Sequence, residues 1–192
     1  MLVWKMNQNL TRTQDPELDR FAINTLGDGV HEERKKGFLL ARLALLEGLE
    51  GEGHKLSINQ LRLLDYSTLE ILPQYTISLS HTKGAGAALI AEKDVFKSVG
   101  LDIELDDRVV KNNVAERISH PNDQKIRKIE LWCLKEAAFK ALMNSGHFDK
   151  PVDFSSIVIE KMTWTHSPSG IQGEWEIENV RPYLVARAYL KN

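Results

Sequence analysis

The stretch VGLDIELDD, Val99 to Asp107, decides how the rest of the chain is read. Val99, Leu101, Ile103 and Leu105 alternate with other residues, the period-two pattern of a half-buried strand. The positions between them are then expected on its wet face, and two of these are Asp102 and Glu104. At spacing i, i+2 both carboxylates point to the same side. Neighbouring carboxylates repel, and each raises the other's pKa unless a cation intervenes. A hard cation such as Mg²⁺ is held by one or two carboxylates and keeps positions open for water or substrate phosphate. On its own, Asp-x-Glu is also the pattern of a solvent-facing strand with incidental acids, so its surroundings must decide.

Upstream, residues 74–104 read as β structure: TISLS alternates, GAGAALIAE is a small-residue strand, and EKDVFKS is a connecting loop. Further upstream, residues 28–50 read as a helix, with acids first, then bases, then apolar residues. Gly48 and Gly51 are expected to end it. Downstream, residues 106–126 are polar and partly loop, and residues 127–143 form a strong helix. FSSIVIEKM, GEWEIENV and YLVARAYL follow as strands, with SPSG as a turn. The expected fold class is α+β with antiparallel sheet. No repeat is visible residue by residue, although each half offers one long helix and several strands.

The chain has 192 residues, 42% of them hydrophobic, a formal charge of −2 and a single cysteine, Cys133. That composition supports a folded core. It excludes a basic protein that coats nucleic acid, an intrachain disulfide and a cysteine zinc site. The apolar run in MLVWKMNQNL is too short for a signal peptide, and FLLARLALL is far short of a membrane span. No membrane association is expected, and the expected location is cytoplasmic.

Two further stretches carry chemistry. In IELWCLKEAAFKALM, Ile129 to Met143, apolar residues occur nearly all round the helix, as in a buried helix. Glu136 and Lys140 lie one turn apart in the sector of Ile129, Cys133 and Met143. A charged pair on an apolar sector is costly unless something binds it. Lys135 points elsewhere and reads as ordinary surface, and Cys133 reads as core. In ISLSHT, Ile77 to Thr82, a strand ends in Ser80 and His81, donors suited to phosphate oxygens but also common at an exposed strand end. The run Arg34, Lys35, Lys36, with Arg42 two turns later, offers a further phosphate site and is equally a solvated helix face.

Taken in order, SLSHT, VGLDIE and WCLKEAAFKA resemble the signature of the 4′-phosphopantetheinyl transferase superfamily. That signature is a Ser-His strand end, then Gly-x-Asp-x-Glu, then Trp-x-x-Lys-Glu-x-x-x-Lys-Ala. The motif-bearing span runs from Thr76 to Leu142, about a third of the chain. The length resembles the monomeric, two-half type that activates peptide and polyketide synthases.

The resemblance implies two similar α+β halves related by a pseudo-twofold, each a long helix on a small antiparallel sheet. They would divide as residues 1–98 and 99–192, the second half carrying the metal ligands. It implies that Asp102, Glu104 and Glu136 hold Mg²⁺ against the coenzyme A pyrophosphate, with Asp102, Glu136 and Lys140 as the catalytic residues. Lys140, Ser80, His81, Lys35, Lys36 and Arg42 would contact coenzyme A phosphates. The partner would be an apo acyl or peptidyl carrier protein, whose serine receives the group, and Lys125, Arg127 and Lys128 could meet its acidic helix. One departure stands out. Relatives carry Gly-Lys-Pro before the Ser-His block, near the adenine, whereas LRLLDYSTLEILPQY has Pro73 and no Gly-Lys-Pro.

Two other readings compete. A non-catalytic, carrier-binding relative would keep the fold without the reaction. A metal-dependent nuclease would also use carboxylates and lysine. The compact nuclease pattern needs Glu-x-Lys after the first acid, and here Leu105 and Asp106 follow Glu104.

Overall fold

The computed structural model describes residues 1–192. In chain order its elements are β1 (Leu2–Asn7), α1 (Pro16–Leu26), α2 (Glu32–Gly51), β2 (Tyr75–Thr82), β3 (Ala85–Glu92) and β4 (Phe96–Leu105). They continue with α3 (Asn112–Ile118), α4 (Lys128–Asn144), β5 (Ile157–Glu160), β6 (Thr163–His166), β7 (Ile171–Val180) and β8 (Tyr183–Lys191). The strands form two antiparallel sheets, ordered β1-β3-β2 and β4-β8-β7-β6-β5. The protein is therefore α+β. No helix is long and apolar enough to cross a membrane.

Local chemistry explains the element ends. Asp15 caps α1 by accepting from Glu17 N at 2.8 Å, and Pro16 opens the helix where its missing N–H costs nothing. Glu130 reaches back to the Arg127 backbone N at 3.0 Å and closes the start of α4. Lys83 and Gly84 make the two-residue turn between β2 and β3, with Gly84 at φ 77°.

Several boundaries differ from expectation. β1, α1, α3 and β6 add to the expected elements, and β4 begins at Phe96, inside the stretch read as a loop. α2 runs through Gly48 and ends at Gly51, as expected for the second glycine only. Gly48 is a packing position, where a Cβ would meet Ile90 at 2.6 Å. The expected division at residue 98 falls inside β4.

Three apolar clusters hold the fold. α2 buries Leu39, Leu43 and Leu45 against Ile77 and Ile90 of the smaller sheet. α4 buries Cys133, Ala137 and Ala141 against Trp164, Leu184 and Ala188 of the larger. The third cluster joins Ala87 and Leu89 of β3 to Val99, Leu101 and Ile103 of β4 and Val185 of β8. Each fully buried large side chain contributes about 1.5–3 kcal/mol.

The wet face expected on β4 does not exist. Val99, Leu101 and Ile103 face the third cluster, and the opposite face lies under α4. Ser98 is fully buried, and Asp102 and Glu104 are only 6% and 9% exposed. The reason is Gly100: a Cβ there would stand 1.9 Å from the Ala137 carbonyl oxygen, so glycine alone lets the helix approach this closely. Ser98 Oγ donates to Ala141 O at 2.6 Å on the same contact.

The two sheets meet at β2 and β4, each an edge strand of its own sheet. No backbone ladder joins them. Leu101 N donates to Ser78 Oγ at 2.9 Å, and Ile103 N donates to Ser80 Oγ at 3.4 Å. Hydroxyls on β2 thus satisfy the free edge of β4, which would otherwise be buried unpaired.

Candidate active site

The hydroxyl row of β2 continues into the acids of β4. Ser80 Oγ donates to Asp102 Oδ1 at 2.9 Å, and Thr82 Oγ1 donates to Glu104 Oε2 at 3.2 Å. Lys140 comes from α4 and donates to Asp102 Oδ1 at 3.0 Å, Leu101 O at 2.8 Å and Ser80 Oγ at 3.2 Å. The structure therefore brings together Ser80, Asp102, Glu104 and Lys140, drawn from three elements. The second oxygen of Asp102, Oδ2, is buried and has no partner. Glu104 also pairs with Arg108, whose guanidinium carbon lies 5.2 Å from the centre of the Trp132 ring.

Glu136 stands one turn before Lys140 on α4 and is partly buried. Burial raises its carboxyl pKa, Lys140 pulls it back, and the charge of Asp102 pushes it further up. Cys133 shares this neighbourhood and is core, as expected. Burial, then the charge of Asp102, holds its thiol far above the usual range, so it is no nucleophile.

A metal fits part of this arrangement. No three His, Cys, Asp or Glu side chains stand at ligating spacing, because Thr82 and Arg108 engage Glu104 while Lys140 and Ser80 engage one side of Asp102. Asp102 Oδ2 remains an orphaned buried acceptor, and Glu136 carries a carboxylate that its surroundings disfavour ionising. Both lack a balancing cation on those oxygens. An all-carboxylate donor set suits a hard cation and not a soft one.

His81 follows Ser80 and turns to the other side of β2. Its ring lies against Gly37 of α2, where a Cβ would stand 2.5 Å from Nδ1. Although His81 is exposed as a whole, partial desolvation of its ring lowers its pKa, and Lys140, Arg42 and Arg34 lower it further. Glu33, Arg34, His81, Thr82 and Lys83 line an open cavity of about 610 Å³. Neither Lys35 nor Lys36 lines it. Lys35 pairs with Asp19 at 2.6 Å and Glu32 at 2.7 Å, and Lys36 pairs with Glu33 at 3.4 Å. Arg34 is the member of the basic run that reaches His81, because positions three and four apart share a helix face and Gly37 faces this ring.

Arg42 does lie at the cleft. With Leu63, Leu79, Phe139 and Lys140 it lines a cavity of about 440 Å³ between α2, β2 and α4. Its guanidinium carbon sits 3.6 Å from the centre of the Phe38 ring, and burial lowers its pKa to about 10.

Lys135 is not surface. It is fully buried and donates to Asp123 at 2.8 Å, Ile157 O at 2.7 Å and Phe154 O at 3.4 Å. An all-round apolar helix offers no solvent sector, so its lysine had to find a buried acid. Of the basic residues considered for a carrier, Arg127 is tied to Asp106 and Glu130, and Lys128 to Asn112.

Thr82 and Arg108 were not among the expected site residues. Thr82 had a signal: hydroxyls at i, i+2 on one strand match acids at i, i+2 on another. Arg108 lies in an irregular segment and had none. Compared with known proteins, the chain matches no protein-family model and no curated protein.

Proposed function

We propose that this protein is a 4′-phosphopantetheinyl transferase. It would move phosphopantetheine from coenzyme A to a carrier-protein serine and release adenosine 3′,5′-bisphosphate. The observation that carries the reading is the buried Asp102 with one oxygen on Ser80 and Lys140 and the other without a partner. Ser80, which donates to Asp102, directly precedes His81 on β2, and the charge of Asp102 acts on the His81 ring.

The reaction forms a bond from the serine oxygen to the β-phosphorus and breaks that phosphorus's bond to the bridging oxygen. In this reading Asp102, Glu104 and Glu136 hold Mg²⁺, with Glu104 leaving Arg108. The ion supplies charge neutralisation on the pyrophosphate oxygens when bound. Lys140 adds positive charge where the leaving group's charge develops. Glu136, or a water beside the ion, would take the serine proton. His81, Arg34 and Arg42 hold coenzyme A phosphates. α3 and the start of α4 offer a carrier surface, where Asn112, Glu116, His120 and Lys128 line an open cavity of about 570 Å³.

A pseudo-twofold between the halves belongs to the same reading. It is supported by a recurring contact. Gly86 of β3 takes the backbone of Leu40 and Ala41 of α2, as Gly100 of β4 takes that of Ala137 and Ala141 of α4. The engagement of Glu104 by Arg108 favours one other reading, a non-catalytic relative that binds carriers.

Intact-mass spectrometry of an apo carrier incubated with this protein, coenzyme A and Mg²⁺ tests the proposal. A gain of one phosphopantetheine, absent without metal and with Asp102→Ala, is the expected result. No gain across several carrier types, with carrier binding retained, would establish the non-catalytic reading instead.

A further inference from the structure

Two sheets have four edge strands, and three of those edges are covered. β2 and β4 face each other through the hydroxyls of Ser78 and Ser80. On β5, Ile159 N donates to Asp123 Oδ1 at 2.9 Å, and Ile159 O accepts from Gln124 N at 2.8 Å. β1 is the exception. It pairs with β3 over all six residues without a register shift, and no strand pairs with its other side. Glu92 N donates to Met1 O at 3.2 Å, so this is a hydrogen-bonded pair. By the alternation of an antiparallel ladder, Val3 with Ile90, Lys5 with Ala88 and Asn7 with Gly86 are such pairs too. Leu2, Trp4 and Met6 lie between them and turn their N–H and C=O groups outward, where no protein group meets them. Neither proline nor bulge blunts this edge, and Leu2 is 39% exposed beside it.

The open edge borders an acidic floor. Trp4 and Met6 pack on the third apolar cluster, and the guanidinium carbon of Arg187 on β8 lies 5.2 Å from the centre of the Trp4 ring. Arg187 in turn reaches Glu176 at 3.1 Å and Glu178 at 3.2 Å on β7. Glu174, on the same face of β7, pairs with Lys191 at 2.8 Å. Three carboxylates thus share two cations, and the side chains of Glu174, Glu176 and Glu178 keep 54%, 51% and 47% exposure. Each has room for a further cation. They recur at every second residue, the spacing of same-face side chains on any strand.

We propose that the β1 edge takes an extended segment of a partner protein as an added strand, with lysine or arginine at every second position. The added backbone fills the outward N–H and C=O groups of Leu2, Trp4 and Met6. The basic side chains lay their apolar stems along Trp4 and set their charges on the three glutamates. A second copy of this chain fits less well. Its own β1 would bring Leu2, Trp4 and Met6 over those glutamates. Its Lys5 stands on the opposite face, toward α2, with Cγ 3.6 Å from where a Gly48 Cβ would be. β3 separates β1 from the seam of β2 and β4, so this surface is distinct from the cleft.

Fluorescence anisotropy on the full chain tests it with a labelled, end-capped heptapeptide that alternates threonine or valine with three lysines. The lysine peptide should bind, and its glutamate counterpart should bind about tenfold more weakly or worse. N-methylation at one alternate set of backbone nitrogens should abolish binding, and at the other set leave it unchanged, because a strand pairs through every second residue. Amide exchange read by NMR should slow at Leu2, Trp4 and Met6 when the peptide is added, while Val3 and Lys5 are protected from the start. Glu174→Lys, a change at an exposed position, should weaken the lysine peptide and strengthen the glutamate one. Failure of the lysine peptide to bind would overturn the proposal, as would equal affinity for the two peptides or binding that leaves those three amides exchanging freely. Protection of the same amides that grows with protein concentration alone would overturn it too, and would make the occupant a second copy.

Discussion

Two aspartates are buried against lysines of α4, and they are satisfied in opposite ways. Asp123 uses both oxygens: Oδ2 accepts from Lys135 at 2.8 Å and His120 N at 2.7 Å, and Oδ1 accepts from Ile159 N at 2.9 Å. Lys135 spreads its remaining donors over two carbonyls. This network is closed, and it ties the segment before α4 to β5. Asp102 stacks Ser80 and Lys140 on one oxygen and leaves the other bare, while the Lys140 side chain keeps 26% exposure. A closed network locks elements together; an open one holds back an acceptor for something else.

Breaking the closed network should have the largest effect. Asp123→Ala leaves the Lys135 ammonium buried without its counter-charge, and the expected loss is about 3–5 kcal/mol of stability in urea unfolding. A loss close to zero would mean that Lys135 escapes to solvent and that the network locks nothing. Asp102→Asn is the contrasting change. Lys140 keeps Leu101 O and solvent access, so stability should change by no more than about 1 kcal/mol. Transfer to the carrier should nevertheless fall by about a thousandfold, read by initial rates of mass gain. If Asp102→Asn instead unfolds the protein like Asp123→Ala, the two aspartates are alike and the contrast fails.

The smallest effect sharpens the electrostatics of the open side. The folded pKa of His81 lies below its ordinary 6.5, through burial and then the charges of Lys140, Arg42 and Arg34. Below pH 6.5 the unfolded chain therefore holds a proton that the folded chain has released. This contribution to stability is complete above 6.5 and is lost as pH falls toward the folded value. His81→Asn should flatten that part of the urea-midpoint profile relative to wild type. An unchanged profile would show that neither desolvation nor the three cations shift this ring.

Much of this was legible in the residues. Alternation at Val99 marked β4, the all-round apolar pattern marked α4 as buried, and the Ser-His, Asp-x-Glu and Lys-Glu-x-x-x-Lys blocks located four side chains that do converge. What escaped was tertiary. Gly100 and Ser98 do not register as apolar, so nothing along β4 announced a helix on its second face. α2 places Gly37 against His81, far along the chain, and so brings Arg34, and not Lys35 or Lys36, to the cavity that His81 lines. Asp123 sits in a polar loop, where no periodicity could pair it with Lys135.

The seam between β2 and β4 has one more consequence. A backbone ladder sets the distance between strands at a constant that no substitution can change. Here Ser78, Ser80 and Thr82 set it, so the aperture of the cleft is written in replaceable side chains. Lengthening or trimming one hydroxyl would widen or narrow the opening while each sheet keeps its own geometry. The joint works as an adjustable shim, and the spacing of the two sheets can be retuned from a single strand edge.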